Sequence, residues 1–106
     1  MIEDIEKQLK EGGQSPHQLA DFRVQLSAEY SHLAGMLEQI LRRKPAVWNE
    51  IRKNCTSDKQ SDKVFDATID GLDEMTLRIT MKRADKLISA CSSLLRVFES
   101  EAKNQF

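Results

Sequence analysis

LADFRVQLSAEYSHLAGMLEQILRRKPAVWNEI, residues 19–51, decides the fold class. Leu19, Leu26, Leu33, Ile40 and Val47 recur every seven residues, and Phe22, Tyr30, Leu37, Leu41 and Ile51 flank that column. Five apolar residues in one register make a helix with a coiled-coil-like seam, since a heptad keeps one stripe facing a partner. Pro45 lacks an N–H and crowds the carbonyl of Leu41, so a kink is expected there. Because the apolar register continues through Val47 and Ile51, the chain should not reverse at that point.

Upstream, Ser15-Pro16-His17-Gln18 reads as a helix start: Ser15 caps, Pro16 suits the first helical position, and Gln18 returns the capping-box bond. The helix is expected over residues 16–54, kinked near Pro45. Before it, Ile2, Ile5 and Leu9 mark a short helix over residues 2–11 that Gly12-Gly13 ends. Downstream, Thr56-Ser57-Asp58 marks the turn, with Ser57 and Gln60 as a second capping pair. A third helix is then expected over residues 58–103.

One stripe of this third helix reads Phe65, Ile69, Leu72, Met75 and Ile79, then Ala84, Leu87, Cys91, Leu94 and Phe98. This stripe should face the second helix. A second stripe, Leu77, Met81, Ile88 and Leu95, widens the apolar arc beyond what one partner helix covers, and is expected to form an oligomer interface. The fold expected is all-α: one domain over residues 1–106, a long antiparallel helical hairpin with a short N-terminal helix folded back near residues 90–104, completed by oligomerisation.

Composition agrees. Among 106 residues, 31% are charged and 40% hydrophobic, with only 4 Gly and 2 Pro, which disfavours a β-sandwich or barrel. A net charge of −1 gives no overall pull toward nucleic acid or anionic membrane. Cys55 and Cys91 lack metal-ligand spacing and read as small apolar residues in a reducing compartment. No apolar run approaches the ~20 residues of a membrane helix, and the N-terminus MIEDIEKQLKEGG is no signal peptide. A cytoplasmic location without membrane contact is the expectation.

The charges are ordered. Asp58, Asp62, Asp66, Asp70 and Glu74 follow at intervals of four, and Arg78, Lys82 and Lys86 continue the line, the order that the helix dipole favours. In a hairpin turning near residue 56 the acidic half lies beside Arg42, Arg43, Lys44, Arg52 and Lys53, and the basic half near Glu29 and Glu38.

Chemistry-bearing motifs are few. Asp66, Thr68, Asp70 and Gly71 match the start of an EF-hand loop, but Leu77 stands where the bidentate glutamate belongs. The same acids lack the preceding strand of an aspartyl phosphatase. His17 and His32 have no ligand spacing, no nucleophile has a base placed beside it, and no glycine-rich phosphate loop is present. No catalytic residue, metal ligand or cofactor is therefore expected.

The segment Arg42-Arg43-Lys44 to Trp48 and Arg52-Lys53 supports three readings. Lys44, Trp48 and Arg52 are four apart, which sets an aromatic face between cations, as single-stranded nucleic acid binding requires. Alternatively, Trp48 packs at the edge of the core and the cations answer the acidic ladder, or the segment is a hot spot for a protein partner. Arg78, Lys82, Arg83 and Lys86 form a secondary basic patch without an aromatic partner.

Tyr30 and Leu33 in a long arm, Trp48 near the bend, Ser57-Asp58 at the turn, then Asp66, Thr68, Gly71, Lys82-Arg83 and the terminal Glu101-Ala102-Lys103-Asn104-Gln105 set an order of features. In that order the chain resembles small α-helical proteins encoded by bacteriophages and, loosely, the oligomeric recombination mediators. The resemblance implies a role in recombination or replication and carries over no functional residue. The function expected is that of a non-enzymatic, homo-oligomeric binding protein, a phage accessory factor in DNA metabolism that contacts single-stranded nucleic acid. The alternative is a protein-interaction module, a small inhibitor or adaptor docking a host or partner protein through its apolar face.

Overall fold

Ser15 and Gln18 close the expected capping box: the Gln18 N–H donates to Ser15 Oγ at 3.2 Å, and the Ser15 N–H donates to Gln18 Oε1 at 2.9 Å. The structure, a computed structural model, describes residues 1–104; Gln105, the last residue of the resemblance, lies outside the described residues. Four helices follow in order: α1 (Ile2–Glu11), α2 (Pro16–Arg52), α3 (Asp58–Asp66) and α4 (Ile69–Asn104). Among the described residues there is no strand, and no helix is long and apolar enough to cross a membrane. Between α1 and α2, Gly12 and Gly13 take φ of 75° and 84°, where a side chain would be strained. Pro45 lies inside α2 and the helix continues past it to Arg52.

The third helix expected over residues 58–103 is two helices. Thr68 interrupts it: its hydroxyl donates to the Phe65 carbonyl at 2.6 Å and accepts from the Gly71 N–H at 3.1 Å, which caps the start of α4. Gly71 is buried, and a Cβ there would collide with the Phe65 carbonyl oxygen and the Asp66 backbone. The absent side chain thus admits the end of α3 against the first turn of α4. The local capping chemistry outweighs the apolar period that runs through this segment.

The chain divides into two compact units. One comprises Met1–Ser31 and the part of α4 from Met81 onward. Ile2 and Ile5 of α1, Leu19, Phe22 and Leu26 of α2, and Ala84 and Cys91 of α4 are buried there. Burial pushes the Cys91 thiol up from its usual range. Glu6 receives Arg83 at 3.0 Å and Lys10 at 3.4 Å, and its carboxyl is held below the usual range, first by the Arg83 hydrogen bond. α1 therefore meets α4 at Arg83.

The other unit is His32–Thr80. Leu33, Leu37 and Ile40 of α2, Phe65 of α3 and Leu77 of α4 are buried, while Val47 and Ile51 are half-buried. Ser61 is buried with its hydroxyl donating to the Ser57 carbonyl at 3.1 Å. Glu74 is buried and receives Lys44 at 3.2 Å and Arg78 at 3.3 Å. The heptad column of α2 thus faces inward as its spacing predicts.

Of the first expected stripe, Phe65, Ala84 and Cys91 are buried and Leu87 is half-buried, as expected, but the rest is not. Leu77, assigned to an oligomer interface, is 7% exposed, and Met81, Ile88 and Leu95 are half-buried within the chain. With Ala84 and Cys91 they form the α4 seam, in strict sevens: 77, 84, 91 and 81, 88, 95. Ile69, Leu72, Met75 and Ile79, expected inside, are exposed, as are Leu94 and Phe98. The seam extends N-terminally not through large apolar residues but through Asp70 and Glu74, which occupy its next two positions. Their charge is tolerated there because cations of α2 meet them.

Candidate interaction surface

Each residue of the main basic patch is held by an acid. Arg43 sends two parallel hydrogen bonds to Asp70, both 2.8 Å, and Asp73 adds a weaker attraction. These bonds raise the pKa of Arg43 above its ordinary value and hold the Asp70 carboxyl below the usual carboxylate range. Lys44 lies between Glu74 and the Phe65 ring, with Nζ 4.8 Å from the ring centroid. Arg52 binds Asp58 at 2.8 Å and donates to the Cys55 carbonyl at 2.7 Å. Arg42 binds Glu38 at 2.6 Å, and Lys53 binds Glu50 at 2.8 Å. Trp48 is half-buried and its indole N–H donates to Asp62 at 2.9 Å.

The structure thus brings Lys44, Trp48 and Arg52 to one side of α2, against α3, as a docking site for α3 rather than an open cationic face. A phosphate would have to displace a carboxylate at each cation, and a base would have to displace Asp62 from the indole. The acidic ladder opposite is divided the same way: Asp58, Asp62, Asp70 and Glu74 all have partners.

The secondary patch is dispersed. Arg78 is tied to Glu74 within the His32–Thr80 unit, and Arg83 to Glu6 within the other. Lys82 and Lys86 are exposed, and among the described residues no carboxylate lies within salt-bridge reach of either. Glu29 and Glu38 do not receive this patch; Glu38 pairs with Arg42 instead. Among the described residues no cluster of three His, Cys, Asp or Glu side chains could hold a metal ion.

What the His32–Thr80 unit leaves open is apolar. Ile69, Leu72, Met75 and Ile79 are 79%, 50%, 50% and 55% exposed. At 3.6 residues per turn they share an arc of about 120° on α4, roughly opposite the seam at Asp70, Glu74 and Leu77. No charged residue falls within that arc, and Thr76 is its one polar member.

Beside this ridge runs a groove of about 300 Å³ between α2 and α4, lined by Met36, Gln39, Ile40, Arg43, Asp73, Thr76 and Leu77. Helical rotation puts Met36 and Arg43 on one flank of the α2 seam, and Leu41 and Trp48 on the other. On α4, Asp73 and Thr76 lie on one flank and Gly71 on the other. α3 occupies the Trp48–Gly71 side, through Asp62, Phe65 and the close approach at Gly71. Among the described residues of the His32–Thr80 unit, no helix lies over the groove on the opposite side.

Sequence reasoning placed Phe65, Ala84 and Cys91 inside but put Ile69, Leu72, Met75 and Ile79 on the wrong side. The legible signal was the strict heptad through Asp70 and Glu74, which a count of large apolar residues passes over. No family model, no curated protein and no solved structure matches this chain.

Proposed function

We propose that this protein acts by binding another protein, without catalysis, through the open side of the His32–Thr80 unit. The observation that carries the reading is the uncharged arc of Ile69, Leu72, Met75 and Ile79, four large apolar side chains at least half exposed on one helix face. Contiguous exposed apolar surface of this kind is costly to keep in water and marks contact sites. The adjoining groove fits a helix-in-groove mode of recognition, in which an amphipathic helix lays its apolar face between two others. The nucleic-acid reading is weakened because the cations it relied on are engaged by carboxylates. An accessory role of the kind found among phage-encoded helical proteins is compatible with such a binding surface.

The test is site-specific photocrosslinking in living cells. A photoreactive residue at Thr76 should give a discrete adduct with a protein, and the same residue at the exposed Lys63 should not. No adduct at Thr76, together with salt-sensitive single-stranded DNA binding that Arg43→Glu abolishes, would overturn this reading in favour of the nucleic-acid one.

A further inference from the structure

We infer that α1 is a displaceable latch: it occupies a surface of its own unit that a partner's amphipathic helix of the same pattern takes when α1 swings out. This surface belongs to the unit of Met1–Ser31 and Met81 onward, which the proposed function leaves unused, and it stands independently of that function. The joint is built for movement. Gly12 and Gly13 have φ of 75° and 84°, and a Cβ added at either would meet nothing within 4 Å. Backbone conformation alone calls for these glycines, and no neighbour packs against them. The helices on either side are closed without the joint. α1 ends with the Gly12 N–H donating to the Gln8 carbonyl at 3.1 Å, and α2 begins with the Ser15–Gln18 box. α1 can therefore swing away with the start of α2 intact.

The contacts that hold α1 are few. Ile2 and Ile5 are buried and Leu9 is half-buried. Among the described residues, the bond from Arg83 to Glu6 is the one side-chain hydrogen bond between α1 and another helix. A helix of 10 residues is too short to persist alone, so undocked α1 unfolds and gains chain entropy. That gain brings the opening of α1 below the unfolding of the whole unit in free energy. Leu19, Phe22, Leu26, Ala84 and Cys91 remain to hold α2 to α4.

The docked helix also specifies the chemistry of its competitor. Ile2, Ile5 and Leu9 stand at i, i+3 and i+7, and Glu6 stands at i+4, on the edge of that face and against Arg83. Release of α1 uncovers what Ile2 and Ile5 cover and frees the Arg83 guanidinium. A partner helix with apolar residues at those spacings and an acid at i+4 restores both contacts. α1 competes with it from within the chain, at a high local concentration, and so excludes weak partners.

Two measurements on the full chain test the latch. In native-state hydrogen exchange of the wild type, amides of residues 6–11 should exchange at least about tenfold faster than those of residues 19–26. Their dependence on urea should also be shallower, because a local opening exposes little surface. The second measurement uses a fluorescent peptide of residues 1–13. It should bind the Ile5→Asp chain about tenfold more tightly than the wild type, in which α1 holds the surface. Adding Arg83→Glu to Ile5→Asp should abolish that gain. Exchange of residues 6–11 in step with residues 19–26 at every urea concentration overturns the latch. A peptide that binds both chains alike overturns it too, as does an Ile5→Asp chain in which residues 19–26 lose their protection. Binding that survives Arg83→Glu overturns the requirement for an acid at i+4.

Discussion

Lys44 shows how a residue read as a phosphate ligand becomes an internal strut. Its ammonium lies over the Phe65 ring and meets Glu74, so one side chain ties α2 to both α3 and α4. Arg43 does the same with Asp70 through two parallel bonds, the strongest geometry a guanidinium and a carboxylate can adopt. These pairings carry a pH dependence with a definite sign. The Asp70 carboxyl is held below its usual range by Arg43, so the folded state favours its charged form. The resulting stability is present above the ordinary aspartate range of about 4 and is lost as pH falls through and below it. Thermal melts at pH 7 and pH 3 should show a smaller acid-induced drop for Asp70→Asn than for the wild type. Gly71 offers a second check at this scale. Gly71→Ala inserts a methyl group against the Phe65 carbonyl, and the overpacking should cost about 1–3 kcal/mol in urea unfolding. In an open helix position the same change would be stabilising, so the sign alone is informative.

The elements differ in how far their residues announced them. The Ser15–Gln18 box and the Leu19, Leu26, Leu33 and Ile40 column were legible, because local capping chemistry and heptad spacing agree there. Ser57 caps α3 as expected, although the returning Gln60 side chain takes the Thr56 N–H at 2.8 Å. The break between α3 and α4 was not legible from periodicity, since Phe65, Ile69 and Leu72 keep helical spacing straight across it. Its signal is Thr68 three residues before Gly71, a capping hydroxyl followed by a residue without a Cβ. Thr68→Ala should therefore destabilise by about 1 kcal/mol, and Thr68→Ser should recover most of the loss. Equal behaviour of the two variants in chemical unfolding would show that the hydroxyl does not hold the break. The inward face of α4 was misplaced for a different reason. Its seam passes through Asp70 and Glu74, charges that an apolar count rejects but that Arg43 and Lys44 of α2 satisfy.

At the scale of the whole molecule, the candidate site follows from that exchange of faces. Had Ile69, Leu72, Met75 and Ile79 lined the interior, the basic segment around Trp48 would have been the remaining distinctive surface. With Leu77 inside and the Leu72 face outside, the distinctive surface is apolar, and protein binding becomes the better-supported function. The most direct measurement is a comparison of Leu77→Asp and Leu72→Asp by thermal unfolding at sub-micromolar concentration. Leu77 is 7% exposed, so an aspartate there buries an unpaired charge and should cost several kcal/mol or prevent folding. Leu72 is 50% exposed, and its substitution should leave the low-concentration melt within about 0.5 kcal/mol of wild type. Equal destabilisation by the two variants, or a larger loss from Leu72→Asp, would contradict the assignment of the Leu72 face to the outside.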